Sequence, residues 1–96
     1  MKIHVKVWHP VAELFVSEKR YQFDYDVAPG TTLGQLLSEL AEANPAWRTG
    51  VWCEETGLSA DIFLSRNGIF LRPDWIATQA LEDNDVIGVR RLLHGG

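Results

Sequence analysis

The segment Asp-Ile-Phe-Leu-Ser-Arg-Asn-Gly-Ile-Phe-Leu, residues 61–71, predicts a β-hairpin. Ile62 and Leu64 share one face, which is the period-two pattern of a half-buried strand. Asn67 and Gly68 both tolerate a positive φ, as a two-residue hairpin turn requires. The segment therefore supplies two strands of a sheet, predicted over residues 61–66 and 69–71.

Alternating segments at both ends of the chain predict three more strands. In residues 2–8, Ile3, Val5 and Val7 lie on one face, with polar residues between them. Residues 20–27 repeat this pattern and are expected to pair with the first strand. A turn at Asp83, Asn84 and Asp85 leads into a last strand, predicted over residues 86–92. The first and last strands are expected to pair in parallel at the centre of the sheet.

One amphipathic helix is predicted after the breaker at Pro29 and Gly30. Thr32 and Gln35 form a capping box at its start, and Asn44 followed by a proline ends it near residue 43. The apolar stripe of the helix consists of Leu33, Leu36, Leu37, Leu40 and Ala41. One main helix packed on one face of a mixed sheet of four to five strands is an α+β fold. Residues 45–60 show no sustained period and are predicted as a loop with a short helical turn.

Composition excludes several classes of function. The 13 acidic and 9 basic residues give a formal charge of -4, which argues against a nucleic-acid partner. Cys53 is the only cysteine, so no intrachain disulfide or paired-cysteine metal site can form. The sequence contains no signal-peptide pattern and no apolar run of membrane-spanning length, so we expect a cytoplasmic protein without a membrane partner.

The last two residues, Gly95 and Gly96, are the strongest functional feature. Glycine loses more backbone entropy on ordering than any other residue, so an ordered terminus does not favour it. Without side chains, these residues could enter a narrow channel of a partner enzyme and present the carboxylate of Gly96 to a bound nucleotide. We therefore predict a domain over residues 1–93 and a flexible tail over residues 94–96.

The run from residue 61 to Gly96 resembles the β-grasp sulfur carriers, which are the small subunit of molybdopterin synthase and the sulfur carrier of thiamine synthesis. The resemblance rests on the turn at Asn67 and Gly68, the Leu81 before the Asp-Asn-Asp turn, the apolar strand after it and the terminal glycines. The capped helix also falls where this family has one. The resemblance implies a ubiquitin-like β-grasp fold over nearly the whole chain.

The same resemblance implies a carrier protein and not an enzyme. Gly96 would be adenylated and converted to a thiocarboxylate, Gly95 and His94 would thread the tail into the partner, and Asp85 would set the last strand. No cofactor is expected on the chain, since ATP is used by the activating partner. The expected partners are a ubiquitin-activating-like adenylating enzyme, a sulfur donor and an acceptor synthase subunit, of which this chain could be the small subunit.

The tail departs from the family in one respect. Sulfur carriers usually have prolines shortly before the terminal glycines, whereas this chain has Arg90, Arg91, Leu92 and Leu93. This ending is similar to that of ubiquitin and keeps open a second hypothesis, a modifier joined through Gly96 to target lysines by a conjugating enzyme. A third hypothesis is a β-grasp binding module that is not conjugated.

Other residues of the sequence are candidates for partner contact or catalysis. Trp8, Arg90, Arg91 and Leu93 are candidates for partner contact, although core packing is the alternative for Trp8. No metal site is predicted, because His4, His9 and His94 lack ligand spacing. No catalysis is assigned to Cys53, because no lysine or arginine lies within four residues of it to lower its pKa. The adjacent Glu54 and Glu55 are also assigned no catalytic role.

Overall fold

The computed structural model describes residues 1–8, 20–53 and 55–91, with backbone only at residues 20 and 21. The strands are β1 (Lys2–Trp8), β2 (Arg20–Asp26), β3 (Trp52–Cys53), β4 (Gly57–Leu58), β5 (Ile62–Arg66), β6 (Ile69–Phe70) and β7 (Val86–Arg91). The helices are α1 (Leu33–Ala43), α2 (Pro45–Gly50) and a 3₁₀ helix (Pro73–Thr78).

Five of these strands form the main sheet in the order β2-β1-β7-β5-β6. The central pair, β1 and β7, is parallel, with His4 opposite Val86 and Val7 opposite Val89. The other neighbours in the sheet are antiparallel. The predicted mixed sheet, its parallel centre and its hairpin at Asn67 and Gly68 are therefore confirmed.

The buried side chains follow the predicted alternation. Ile3, Val5 and Val7 of β1 are fully buried against the helical layer, as are Leu33, Leu36 and Leu37 of α1. The opposite sheet face is left without a helical layer in the part of the chain that the structure describes, and we call it the open face. The molecule thus has the two-layer α+β architecture that the sequence predicted.

Helix α1 begins and ends where the sequence signals placed its ends. The Gln35 backbone N–H donates to Thr32 Oγ1 at 3.2 Å, and the Thr32 N–H donates to Gln35 Oε1 at 2.9 Å, which completes the capping box. Asn44 closes the helix and also caps α2, because its Oδ1 accepts from the Ala46 N–H at 3.0 Å. The prediction of this helix is confirmed.

Residues 45–60 contain more structure than the predicted loop. Helix α2 is followed by a two-stranded ladder of β3 and β4, with Trp52 opposite Leu58. Trp47 and Trp52 are buried in the core, and Trp52 Nε1 donates to Ser38 Oγ at 3.2 Å. These elements are too short to show a period, and the packing of the two tryptophans under α1 holds them in place.

The segment before β7 also takes a defined form. Its 3₁₀ helix buries Ile76 and packs against α1 at Gly34, where an added Cβ would lie 2.9 Å from Ala77 Cα. Glycine at position 34 therefore permits the close approach of the two helices. None of the helices in the described ranges is long and apolar enough to cross a membrane.

Candidate functional site

Strand β7 carries the chain from the centre of the sheet to the predicted tail. Arg91 is the last residue that the structure describes. Leu93, His94, Gly95 and Gly96 lie outside the described residues, and their predicted roles stay predictions. The part of the candidate site that the structure describes is therefore the surface next to the end of β7.

Arg91 is held at the rim of the sheet. It lies opposite Ile62, the first residue of β5, and its Nε is 2.9 Å from Asp61 Oδ2. Both side chains of this ion pair are partly exposed, so water screens their attraction. The contact engages the Arg91 guanidinium that the sequence suggested for partner contact.

Arg90 and Trp8 lie next to each other on the open face. The β1–β7 register makes them neighbours, and the Arg90 guanidinium carbon lies 4.1 Å from the centroid of the Trp8 ring. A guanidinium over an indole face at this distance forms a cation–π contact. Trp8 is half-buried and Arg90 is exposed. The structure thus brings together two residues that the sequence selected separately.

Gly88 provides the floor beside Trp8. A Cβ at this position would contact Ser65 Oγ and would lie 3.1 Å from Trp8 Cζ3. The absence of a side chain lets the indole ring lie low over the sheet, next to a shallow cavity of about 370 Å³ that Phe70 also lines. This part of the open face therefore combines an aromatic ring with a shallow cavity beside it.

Two phenylalanines extend the surface toward the edge of the sheet. Phe63 lies opposite Arg90 in the β5–β7 pair, and its ring meets that of Phe70 edge-to-face with centroids 5.9 Å apart. Phe63 is 45% exposed and Phe70 is 63% exposed. Trp8, Arg90, Phe63 and Phe70 therefore form one row across four strands, which we call the open-face row.

The open-face row has the composition of a binding surface. Contiguous exposed apolar residues on a small protein mark an interaction site more often than scattered ones, and aromatic residues and arginine are enriched at the centres of interfaces. The sequence analysis did not select Phe63 or Phe70. Phe63 stands at an outward position between the inward Ile62 and Leu64, and this pattern could have indicated an exposed aromatic.

Asp85 is buried at the start of β7 within a polar network. Its Oδ2 accepts from the Glu82 N–H at 2.8 Å and lies 2.9 Å from Arg66 Nη2, and its Oδ1 accepts from Asn67 Nδ2 at 3.0 Å. The Val86 N–H donates to Asn67 Oδ1 at 2.8 Å. The network therefore connects the turn of the β5–β6 hairpin to the first residue of β7.

This network determines the charge state of Asp85. Burial raises the pKa of its carboxyl group, but the hydrogen bonds from Glu82 and Asn67 and the Arg66 guanidinium outweigh burial and hold the pKa below its ordinary value. Asp85 is therefore a structural anion that fixes the direction of β7. The role that the resemblance implied for Asp85, setting the last strand, stays a prediction.

Cys53 lies in an environment that the sequence did not indicate. The backbone N–H groups of Glu55 and Thr56 lower the pKa of the half-buried thiol, and Arg48 contributes to the same shift. The sequence analysis considered only lysine and arginine side chains within four residues of Cys53. The lowered pKa comes mainly from the turn backbone, whereas the Thr56 side chain and Arg48, which lies five positions away on α2, contribute less.

The described histidine and carboxylates form hydrogen bonds and no metal centre. His4 Nδ1 lies 2.7 Å from Asp24 Oδ1, and its Nε2 lies 3.4 Å from Asn84 Oδ1. Glu55 is exposed, whereas His9, Glu54 and His94 are outside the described ranges. Within residues 1–8, 20–53 and 55–91, no three histidine, cysteine or acidic side chains group as metal ligands would.

Comparisons with known proteins show which solved structures share this architecture. No family model matches the sequence, and no curated protein matches it. Among solved structures, SAMP1 from Haloferax volcanii matches with a TM-score of 0.77 at 23% identity, over 100% of both chains. A putative molybdopterin converting factor, subunit 1, from Pyrococcus furiosus matches at 0.68 and 22%, over 97% of this chain and 99% of the other.

A chain of the BexX/CysO complex from Amycolatopsis orientalis also matches, with a TM-score of 0.65 at 18% identity, over 96% of this chain and 99% of that one. At these identities the likeness shows the fold. Each match covers nearly the full length of both aligned chains, so no large insertion distinguishes this chain from these structures. The chain has the ubiquitin-like β-grasp fold, as its resemblance to the β-grasp sulfur carriers implied.

Proposed function

We propose that this chain is a small sulfur carrier, activated by adenylation of the Gly96 carboxylate and converted there to a thiocarboxylate for cofactor biosynthesis. The observation that carries the proposal is the path of β7, which runs through the centre of a β-grasp sheet and ends beside the open-face row. The full-length likeness to a putative molybdopterin converting factor subunit supports it.

The chemistry explains why a partner is needed. A terminal carboxylate has a pKa near ~3.5, so it is an anion at neutral pH and a poor electrophile. Attack of the carboxylate on the α-phosphate of ATP would give an acyl-adenylate and release pyrophosphate. The terminal sulfur of a persulfide would then displace AMP and give an acyl disulfide. A thiol would reduce that disulfide, forming a new disulfide with the donor and releasing the thiocarboxylate. ATP would bind to the activating partner, and this chain would supply the carboxylate.

The folded domain would supply recognition. We assign the open-face row to contact with the activating partner, because it combines exposed aromatic rings with an arginine and adjoins the start of the tail. Arg90 is the exposed charge of this row, and Trp8 orients it through the cation–π contact. The complex of CysO with BexX shows a chain of this fold bound to another protein, which supports a partner-dependent role.

Intact mass is the decisive measurement. The full chain is incubated with an adenylating enzyme, ATP, a persulfide donor and a thiol reductant, and we expect the mass gain of one oxygen replaced by sulfur. The control is the chain that lacks Gly95 and Gly96, which should keep its fold and gain no sulfur. An unchanged mass of the full chain, with the enzyme shown to be active on its own carrier, would contradict the proposal.

A protein modifier is the second candidate, favoured by Arg90 and Arg91 and by the likeness to small archaeal modifier protein 1. It predicts Gly-Gly remnants on target lysines after digestion of a lysate that contains the conjugating system. The deletion of Gly95 and Gly96 separates both candidates from a binding module that is not conjugated, because only the binding module would keep its activity.

A further inference from the structure

The shallow cavity on the open face is lined by two cations that form no ion pair within the described part of the chain. Lys6 and Arg90 both line this cavity of about 370 Å³, and no carboxylate of residues 1–8, 20–53 or 55–91 pairs with either of them. Elsewhere in these ranges, three arginines each pair with an aspartate, namely Arg66, Arg72 and Arg91. The cavity therefore offers available positive charge on a chain whose formal net charge is -4.

The floor of the cavity offers a hydroxyl group and open space. Gly88 lies there, and a Cβ at this position would meet Ser65 Oγ, so the serine hydroxyl lies directly beside the glycine. Ser65 also lines the cavity, so its hydroxyl can donate to a group placed there. Trp8 and Phe70 supply aromatic walls. Two cations, a hydroxyl and aromatic walls together suit an anionic group on a short apolar stem, as in aspartate and glutamate side chains.

The neighbouring part of the open face limits the size of that anion. Asp24 of β2 lies opposite His4 on this face and is exposed. Asp26, which is also exposed, lies opposite Lys2. His4 is two residues, about 7 Å, from Lys6 along β1, so an extended polyanion that filled the cavity would also meet these carboxylates. Because like charges oppose binding, the pattern favours a single acidic side chain over a nucleic acid.

We propose that this cavity receives the carboxylate of one aspartate or glutamate side chain from a partner protein. Lys6 and Arg90 neutralise its charge, and the Ser65 hydroxyl donates to one of its oxygens. Apolar residues beside the acid cover Phe63 and Phe70. The pairing sets the register of the partner, because a misplaced partner leaves its carboxylate and both cations unpaired. Under the proposed function the partner is the activating enzyme, and only this assignment rests on that function.

NMR titration of the full chain with a blocked peptide tests the site. The probe is N-acetyl-Leu-Asp-Leu-amide, and its uncharged match has asparagine in place of the aspartate. We expect saturable shifts of the Trp8 indole N–H and the Gly88 amide with the acidic peptide, and binding about tenfold weaker or less with the uncharged one. Lys6→Gln should weaken binding of the acidic peptide about fivefold, the effect of losing one partly exposed charge pair. Lys2→Gln is the matched control, because Lys2 lies on the same face of β1 and does not line the cavity.

The activating enzyme provides a second measurement. Its affinity for the full chain should fall as salt is added, because salt screens the attraction between its acidic side chain and the cavity. Lys6→Gln should lower the affinity and flatten this salt dependence more than Lys2→Gln does. Both variants lose the same unit of positive charge, so a difference between them reports the cavity and not the net charge of the chain.

Other results overturn the inference. Equal binding of the two peptides, or no saturable binding of either, would mean that the cavity does not select a carboxylate. Equal losses in Lys6→Gln and Lys2→Gln would assign the attraction to net charge. Inorganic phosphate that shifts the same signals as strongly as the acidic peptide would identify a general anion site. A chain that fails these tests yet gains sulfur leaves the proposed function standing, whereas one that binds the acidic peptide and gains no sulfur contradicts the proposed function alone.

Discussion

Asp85 Oδ2 lies 2.9 Å from Arg66 Nη2, and this ion pair joins the strand that ends in the tail to the edge hairpin of the sheet. The Asp85 side chain is 5% exposed and that of Arg66 is 19% exposed, so neither partner can regain full hydration if the other is removed. Breaking a buried pair is costly because it leaves an uncompensated charge.

Asp85→Ala should therefore lower the free energy of unfolding by about 3 kcal/mol, measured by urea denaturation. The matched control is Asp74→Ala, which removes the exposed Arg72–Asp74 pair at 3.4 Å and should cost less than about 1 kcal/mol. Equal losses in the two variants would show that the Asp85 network does not hold β7.

The same network predicts a dependence of stability on pH. The pKa of Asp85 is lower in the folded protein than its ordinary value of 3.8, so the folded state favours the ionised form. Its contribution is present above pH 3.8 and is lost as the pH falls through the folded-state pKa. As the pH is lowered through the acid range, the urea concentration at the unfolding midpoint should fall more steeply for the wild type than for Asp85→Asn. Parallel curves would exclude this carboxyl group as the cause.

Under the proposed function, the open-face row predicts which substitutions weaken recognition by an activating partner. Trp8→Ala removes the ring that supports Arg90 and should lower kcat/KM of adenylation by about 30-fold, the effect of losing an interface hot spot worth about 2 kcal/mol. Pyrophosphate exchange measures it. Trp75→Ala is the matched control, because Trp75 also lies under an arginine, Arg72 at 5.3 Å, but outside the row. A similar loss in both variants would contradict the assignment of this surface.

Arg90→Lys tests the geometry of the row separately from its charge. Lysine keeps the positive charge but lacks the planar guanidinium that stacks on Trp8, so partner binding should weaken while net charge is constant. Isothermal titration with the activating enzyme provides the measurement. If Arg90→Lys binds like the wild type and Arg90→Gln does not, charge alone explains the role of this residue.

Cys53 should react faster than an ordinary thiol. The N–H groups of Glu55 and Thr56 stabilise its thiolate, so the midpoint of the alkylation rate against pH should lie below 9.0, the ordinary pKa. Iodoacetamide labelling followed by intact mass measures the rate. In denaturant the turn is lost and the midpoint should return to the ordinary value, whereas an unchanged midpoint would assign the effect to local sequence.

Much of the fold could be predicted because it depends on local patterns. The alternation of Ile3, Val5 and Val7 identified β1, and the Thr32–Gln35 box fixed the start of α1. The short helical turn predicted within residues 45–60 is present as α2, but the β3–β4 ladder was missed because its two-residue strands are too short to show a period. Their positions depend on Trp47 and Trp52 packing under α1, a tertiary effect that local patterns do not contain.

The candidate site was only partly predictable for a similar reason. Trp8 and Arg90 were selected from the sequence, but their contact depends on the parallel register of β1 and β7, which brings residues far apart in the chain into adjacent strands. The thiol environment of Cys53 arises from backbone N–H groups in a turn, and the identity of nearby side chains does not reveal it.

The parallel pairing of β1 with β7 also affects when the protein can fold during synthesis. The strand made first, β1, pairs with β7, the middle strand of the sheet, which begins only at Val86. The ribosome must therefore deliver nearly the whole chain before that pair can close. A product of premature termination before residue 86 lacks the middle of its sheet and is open to proteolysis. A chain must therefore be translated through β7 before the folded domain is stable.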